Sequence, residues 1–202
     1  MKSLSKKKTV CVLFVLVFCC SLLLLVIYYN TAVTVLHFGS ETLSVPNKQI
    51  WTEPSPDSSG SINMVHLSVP VKLVDPMLLA EGETISLQVA RKGFYASNLR
   101  VLQRRIPDWP VNEEVTDAQR LHRDFSNELV VIDTSTPPAR DRILIPEENL
   151  FDLERLLLCI SKTCEFRRNY GEIFVVATIR EETVIQWKKL DAGIKKYLNS
   201  LK

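Results

Sequence analysis

Residues 9–29 form an unbroken apolar run with no charge, proline or glycine. At about 1.5 Å rise per residue, some twenty such residues span the roughly 30 Å hydrocarbon core of a bilayer, so the run predicts a single membrane-crossing helix. Lys2, Lys6, Lys7 and Lys8 precede it, and no lysine or arginine follows until Lys48. The positive-inside rule then places residues 1–8 in the cytosol and the rest of the chain in the lumen, with Tyr28 and Tyr29 at the interface. A cleaved signal peptide has a shorter apolar core and a small-x-small cleavage site, and residues 30–39 offer no Ala-x-Ala; the uncleaved anchor is the expectation.

Beyond the run, residues 47–60 are polar, carry two prolines and end in Ser-Ser-Gly. Residues 30–60 are thus expected to be a stem, ahead of a lumenal domain over 61–202. Residues 63–74 alternate and are rich in valine, residues 84–90 give a second strand, and 128–133 and 142–145 are short apolar runs of the kind buried strands show. Pro146, Glu147 and Glu148 resemble a helix start, with Leu150, Leu153, Leu157 and Ile160 as its buried stripe. Residues 172–179 carry the strongest strand pattern. The final segment, 181–201, places Ile185, Leu190, Ile194, Tyr197, Leu198 and Leu201 on one side of a helix and Lys188, Lys189, Lys195 and Lys196 mainly on the other. Strands alternating with helices predict an α/β or α+β layered domain behind the transmembrane helix.

Composition changes this picture little. The chain has 202 residues, 46% of them hydrophobic and 24% charged, with a net charge of +2. Without the four lysines ahead of the apolar run, 21 basic residues face 23 acidic ones. The folded part is near neutral and has no basic stripe to follow a phosphate backbone, so nucleic acid is not an expected partner. The expected partners are the lipid bilayer and other lumenal proteins.

The candidate chemistry is sparse. Six glycines and three histidines leave no dinucleotide or P-loop fingerprint, and His37, His66 and His122 lack zinc-ligand spacing. No Asp-x-Asp stands ready for a metal-bound nucleotide diphosphate, and no Gly-x-Ser-x-Gly marks a nucleophile elbow. The acid pairs Glu113-Glu114, Glu147-Glu148 and Glu181-Glu182 read as helix starts or solvated faces. No catalytic residue, cofactor site or metal site is assigned, and the chain leans away from being an enzyme. Asp75 and Asp133 each follow a hydrophobic strand, where ligands gather in open α/β sheets, although aspartate there is also an ordinary turn former or cap.

Cys11, Cys19 and Cys20 lie in the apolar run, which leaves Cys159 and Cys164 for an oxidising compartment. In one intact helix a separation of five residues holds their Cα atoms too far apart for a bridge. A disulfide requires the helix to break near Ser161, and two buried thiols stand equally open. No Asn-x-Ser/Thr sequon occurs.

Two stretches resemble the fukutin family of Golgi proteins. The segment Val69-Pro70-Val71-Lys72-Leu73-Val74-Asp75-Pro76 is similar to that family's V-P-V-x-L-I-D-P, which also lies downstream of a type II anchor. Ile143-Leu144-Ile145-Pro146, with Phe151 and Cys159 after it, resembles the family's L-I-P strand and cysteine-bearing helix. The resemblance implies a type II Golgi or ER membrane protein with a role in glycosylation by phosphoribitol or phospho-sugar transfer, and glycosyltransferases among its lumenal partners. The family's nucleotidyltransferase domain and Asp-x-Asp have no counterpart here, so what it implies is a non-catalytic relative or an incomplete gene model. A second likeness, of residues 172–183 to seven-β-strand methyltransferases, lacks the glycine-bearing acidic loop for S-adenosylmethionine. The remaining alternative is a single-pass protein whose outer domain binds a partner protein.

Overall fold

A computed structural model describes residues 3–75, 84–95, 97–105, 123–124, 129–133, 141–146, 148 and 153–202. The architecture is mainly β. Strands β3 (Ser55–Pro56), β4 (Ile62–Pro70), β5 (Thr84–Arg91), β6 (Arg123–Asp124), β7 (Leu129–Asp133), β8 (Asp141–Pro146), β9 (Arg155–Ile160), β10 (Thr163–Tyr170) and β11 (Ile173–Arg180) form one sheet in the order β3-β4-β5-β11-β10-β9-β8-β7-β6. Every neighbouring pair is antiparallel. From β5 the chain passes to the far edge and meanders back until β11 lies beside β5. A separate hairpin joins β1 (Val33–Phe38) to β2 (Glu41–Pro46). The helices are α1 (Ser3–Thr31), the single turn α2 (Val71–Val74), α3 (Asn98–Arg105) and α4 (Trp187–Ser200).

The sheet is buried on both faces in its middle. On one side Leu157 and Cys159 of β9, Phe166 of β10 and Val175 and Ala177 of β11 meet Trp187, Leu190, Ile194, Tyr197 and Leu198 around α4, together with Leu36, Phe38, Leu43 and Val45 of the hairpin. On the other, Ile143 and Ile145 of β8 and Leu156 and Leu158 of β9 pack beneath Leu102 of α3. Each fully buried large aliphatic or aromatic side chain contributes on the order of 1.5–3 kcal/mol.

Three expectations are corrected. The α/β or α+β alternation gives way to an all-antiparallel sheet, because residues 155–160 form β9 instead of a helix. Leu156, Leu157 and Leu158 are apolar in succession because both faces of this strand are covered, and such a run mimics a helical stripe. The stem over residues 30–60 is replaced in large part by the β1–β2 hairpin, whose inner residues are among the most buried in the molecule.

The membrane anchor is corrected as well. Among the described residues no helix is long and apolar enough to cross a membrane. The transmembrane signal anchor, the type II topology and the Golgi or ER membrane localisation are therefore not supported.

Candidate functional site

Two hairpin turns and one helix build a cleft. Tyr170 and Ile173 are paired across a two-residue turn in which Gly171 has φ +67°, the left-handed value that the first position of a type II′ turn requires. The β1–β2 turn repeats the device, with Gly39 at φ +63° between Phe38 and Glu41. These turns bring Glu41 and the β10–β11 loop to the same side of α4. A Cβ added at Gly171 would come within 3.0 Å of Glu41 Oε1, so the bare glycine backbone is what lets the carboxylate approach. Helix α4 is seated by Gly193, where an added Cβ would lie 2.5 Å from the Val74 carbonyl oxygen of α2.

The space enclosed is about 280 Å³ and open to solvent. Arg168, Lys195 and Lys202 supply positive charge around it, and Glu41 is the one acidic side chain among the described lining residues. Lys202 Nζ stands 2.7 Å from Glu41 Oε2, a half-exposed ion pair. Asn169 and Asn199 add amide donors and acceptors, and Ile173 and Leu198 an apolar floor. The volume lies at or below the lower end of small-molecule sites, near the size of one or two side chains.

The inner wall is a buried charge cluster. Arg155 and Arg168 are direct cross-strand partners on β9 and β10, like charges that repel when left alone. Asp191 of α4 lies between them: its Oδ2 is 3.0 Å from Arg155 Nε and also accepts from Arg168 Nη1. Its Oδ1 accepts from the Tyr170 hydroxyl at 2.7 Å. Glu148 pairs with Arg155 from the solvent side. The guanidinium of Arg168 lies over the Tyr170 ring at 5.0 Å and that of Arg155 over Trp187 at 5.7 Å. Burial lowers the pKa of Arg168, yet a guanidinium remains charged. Burial pushes the Tyr170 hydroxyl well above the ordinary tyrosine value, against the opposing pull of Arg168 and Arg155, so it stays a donor.

The residues singled out from the sequence lie elsewhere. Asp75 closes α2, its N–H donating to the Val71 carbonyl at 2.8 Å. Asp133 ends β7 opposite Arg142. Five strands separate β4 from β7 in the sheet order, and an antiparallel sheet has no common carboxyl edge at which two such residues meet. Cys159 and Cys164 form a disulfide between directly opposed positions of β9 and β10, beneath the α4 face. His37 bonds Thr42 across the β1–β2 hairpin, and His66 is on β4. Arg142 pairs with Glu181, and Glu182 with Arg180. His122, Glu113, Glu114, Glu147 and the residue pair Leu150 and Phe151 lie outside the described residues. Among the described residues no three His, Cys, Asp or Glu side chains are grouped to hold a metal ion.

The cleft residues were in view only as parts of other features. Lys195 reads as one of a solvated lysine face, and Tyr170, Gly171 and Arg168 belong to a strand and turn the pattern does not announce. The usable signal is the two-residue Gly-x spacing at Gly39 and Gly171.

No family model matches the chain. No curated protein matches it either. Among solved structures it is similar to Smlt3025, an immunity protein of the Stenotrophomonas maltophilia type IV secretion system. The identity is 10%, the alignment covers 84% of this chain and 93% of that one, and the TM-score is 0.38. A likeness at that level carries no functional argument. The segments that resemble the fukutin family sit on β4 with α2 and on β8 with β9, with β5, β11 and β10 between the two groups.

Proposed function

We propose that this chain is a binding protein that holds an acidic protein partner at the cleft between α4 and the β10–β11 turn. The observation that carries the reading is the cleft's charge: Lys195 and Lys202, with Arg168 in the wall, around a space of about 280 Å³ in which Glu41 is the one acidic side chain among the described lining residues. Such a space is too small for a dinucleotide and suits an acidic side chain carried in by a larger surface. Rigid elements support it, since Arg168 projects from β10 and Lys195 from α4, a helix seated by close backbone packing, with Lys202 two residues past its end. Charges around a partly exposed cleft give association rate and specificity more than raw affinity.

The test is chemical crosslinking of the tagged full chain in extract of its own cells, in mild detergent because residues 14–29 expose apolar side chains. A specific acidic protein recovered by the wild type and lost with the charge-reversing pair Lys195→Glu and Lys202→Glu, or in about 0.5 M salt, supports the reading. Identical recovery by both proteins at both salt concentrations overturns it.

A further inference from the structure

We propose that Glu41 is a built-in competitor for the cleft, standing where the carboxylate of a partner's aspartate or glutamate side chain docks. This rests on the reading above and names the group recognised. Glu41 enters on the β1–β2 turn, occupies space that a Cβ at Gly171 would crowd, and pairs with Lys202 at 2.7 Å. Its side chain is 24% exposed and that of Lys202 43%, so the pair is solvent-screened and can be exchanged for another carboxylate at little cost. Lys195, at the same cleft, makes no ion pair among the described residues and is the cation left over for an incoming acid. Arg168, by contrast, is committed to Asp191 and forms the wall. The partner's carboxylate then displaces Glu41 from Lys202 and takes both lysines, while Asn199 is placed to meet its backbone.

Competition makes a prediction that a structural ion pair does not. Removing Glu41 strengthens acidic-ligand binding, whereas removing Lys202 weakens it, although both changes break the same pair. The probe is a fluorescein-labelled Gly-Glu-Asp-Glu-Gly peptide, with Gly-Gln-Asn-Gln-Gly and inorganic phosphate as comparisons, read by anisotropy on the full chain in mild detergent. Glu41→Gln should tighten the acidic peptide about two- to fivefold, and Lys202→Ala should loosen it by a similar factor. Glu41→Asp, which withdraws the carboxylate by one methylene and keeps the fold's charge, should tighten it to a lesser degree. Equal weakening by Glu41→Gln and Lys202→Ala, or equal binding of the neutral peptide, overturns the proposal. Phosphate that competes while the acidic peptide does not also overturns it, in favour of a phosphoryl ligand. If the peptide fails but partner capture still depends on Lys195 and Lys202, the binding reading survives and only the carboxylate inference is lost.

Discussion

Asp191 shows how one residue organises a site that pattern alone does not display. Two arginines stand opposite each other on neighbouring strands, with side-chain exposures of 18% and 15%, and one 9%-exposed carboxylate neutralises their approach. A buried pair adds little over an apolar substitute, but deleting one partner leaves charge without compensation. Asp191→Asn preserves the shape and removes only the charge. It should cost about 3–5 kcal/mol, measured as a fall in the urea midpoint at constant slope. Tyr170→Phe removes one hydrogen bond to the same carboxylate and should cost about 1–2 kcal/mol. In the double variant the two losses should not add, because they share Asp191. In sequence, Asp191 is a lone acid between Lys189 and Lys195, and nothing in its spacing distinguishes it from a solvated residue. Its role depends on Arg155 and Arg168, which only the pairing of β9 with β10 brings under it.

At the scale of elements, legibility followed how many faces each one buries. Residues 84–90 and 172–179 carry strand patterns that the structure places in β5 and β11, and the 181–201 segment contains α4. Its first turns are a 3-10 segment, Glu181–Gln186, that exposes Ile185 and buries Val184 in its place. The β9–β10 hairpin escaped because its turn uses Ser161 at φ 59°, a left-handed conformation that glycine usually announces. The hairpin β1–β2 escaped because the polar residues around it obscure Leu36, Phe38, Leu43 and Val45. Two element-level predictions follow from the packing. Gly193→Ala drives a methyl to 2.5 Å from the Val74 carbonyl oxygen and forces α4 away from α2, so thermal unfolding should register a loss of about 1–3 kcal/mol or more. An unchanged midpoint would show that α4 is not seated by this contact. The disulfide Cys159–Cys164 closes a loop with a sequence separation of 5, for which loop-closure entropy gives about 2 kcal/mol. The paired change Cys159→Ser and Cys164→Ser should lower stability by about that much while the strand content by circular dichroism stays near wild type.

Across the whole molecule α4 is the element on which the others converge. Ser44 N–H of β2 donates to the Leu201 carbonyl at 2.6 Å, Tyr197 donates to Gln49 at 2.6 Å, Gly193 lies on α2, and Asp191 holds β9 and β10. The Tyr197 hydroxyl among these tethers, and that of Tyr170, which donates to Asp191 at 2.7 Å, have protons that burial holds more tightly than water does. For each, the folded pKa lies above the unfolded value of about 10. A group of that kind binds its proton better when folded, so its contribution is fully present below pH 10 and falls as the pH rises beyond it. The sign is opposite to acid denaturation by paired carboxylates. Stability should therefore be flat with respect to these two groups through neutral pH and decline steeply above about pH 10. Tyr170→Phe and Tyr197→Phe together should flatten that alkaline limb while lowering stability at pH 7, because the phenyl rings keep the packing and lose the ionisable group. Urea titrations of the wild type and the double variant between pH 7 and 11 measure both effects. Parallel curves for the two proteins would place the alkaline transition elsewhere and remove α4 from its cause.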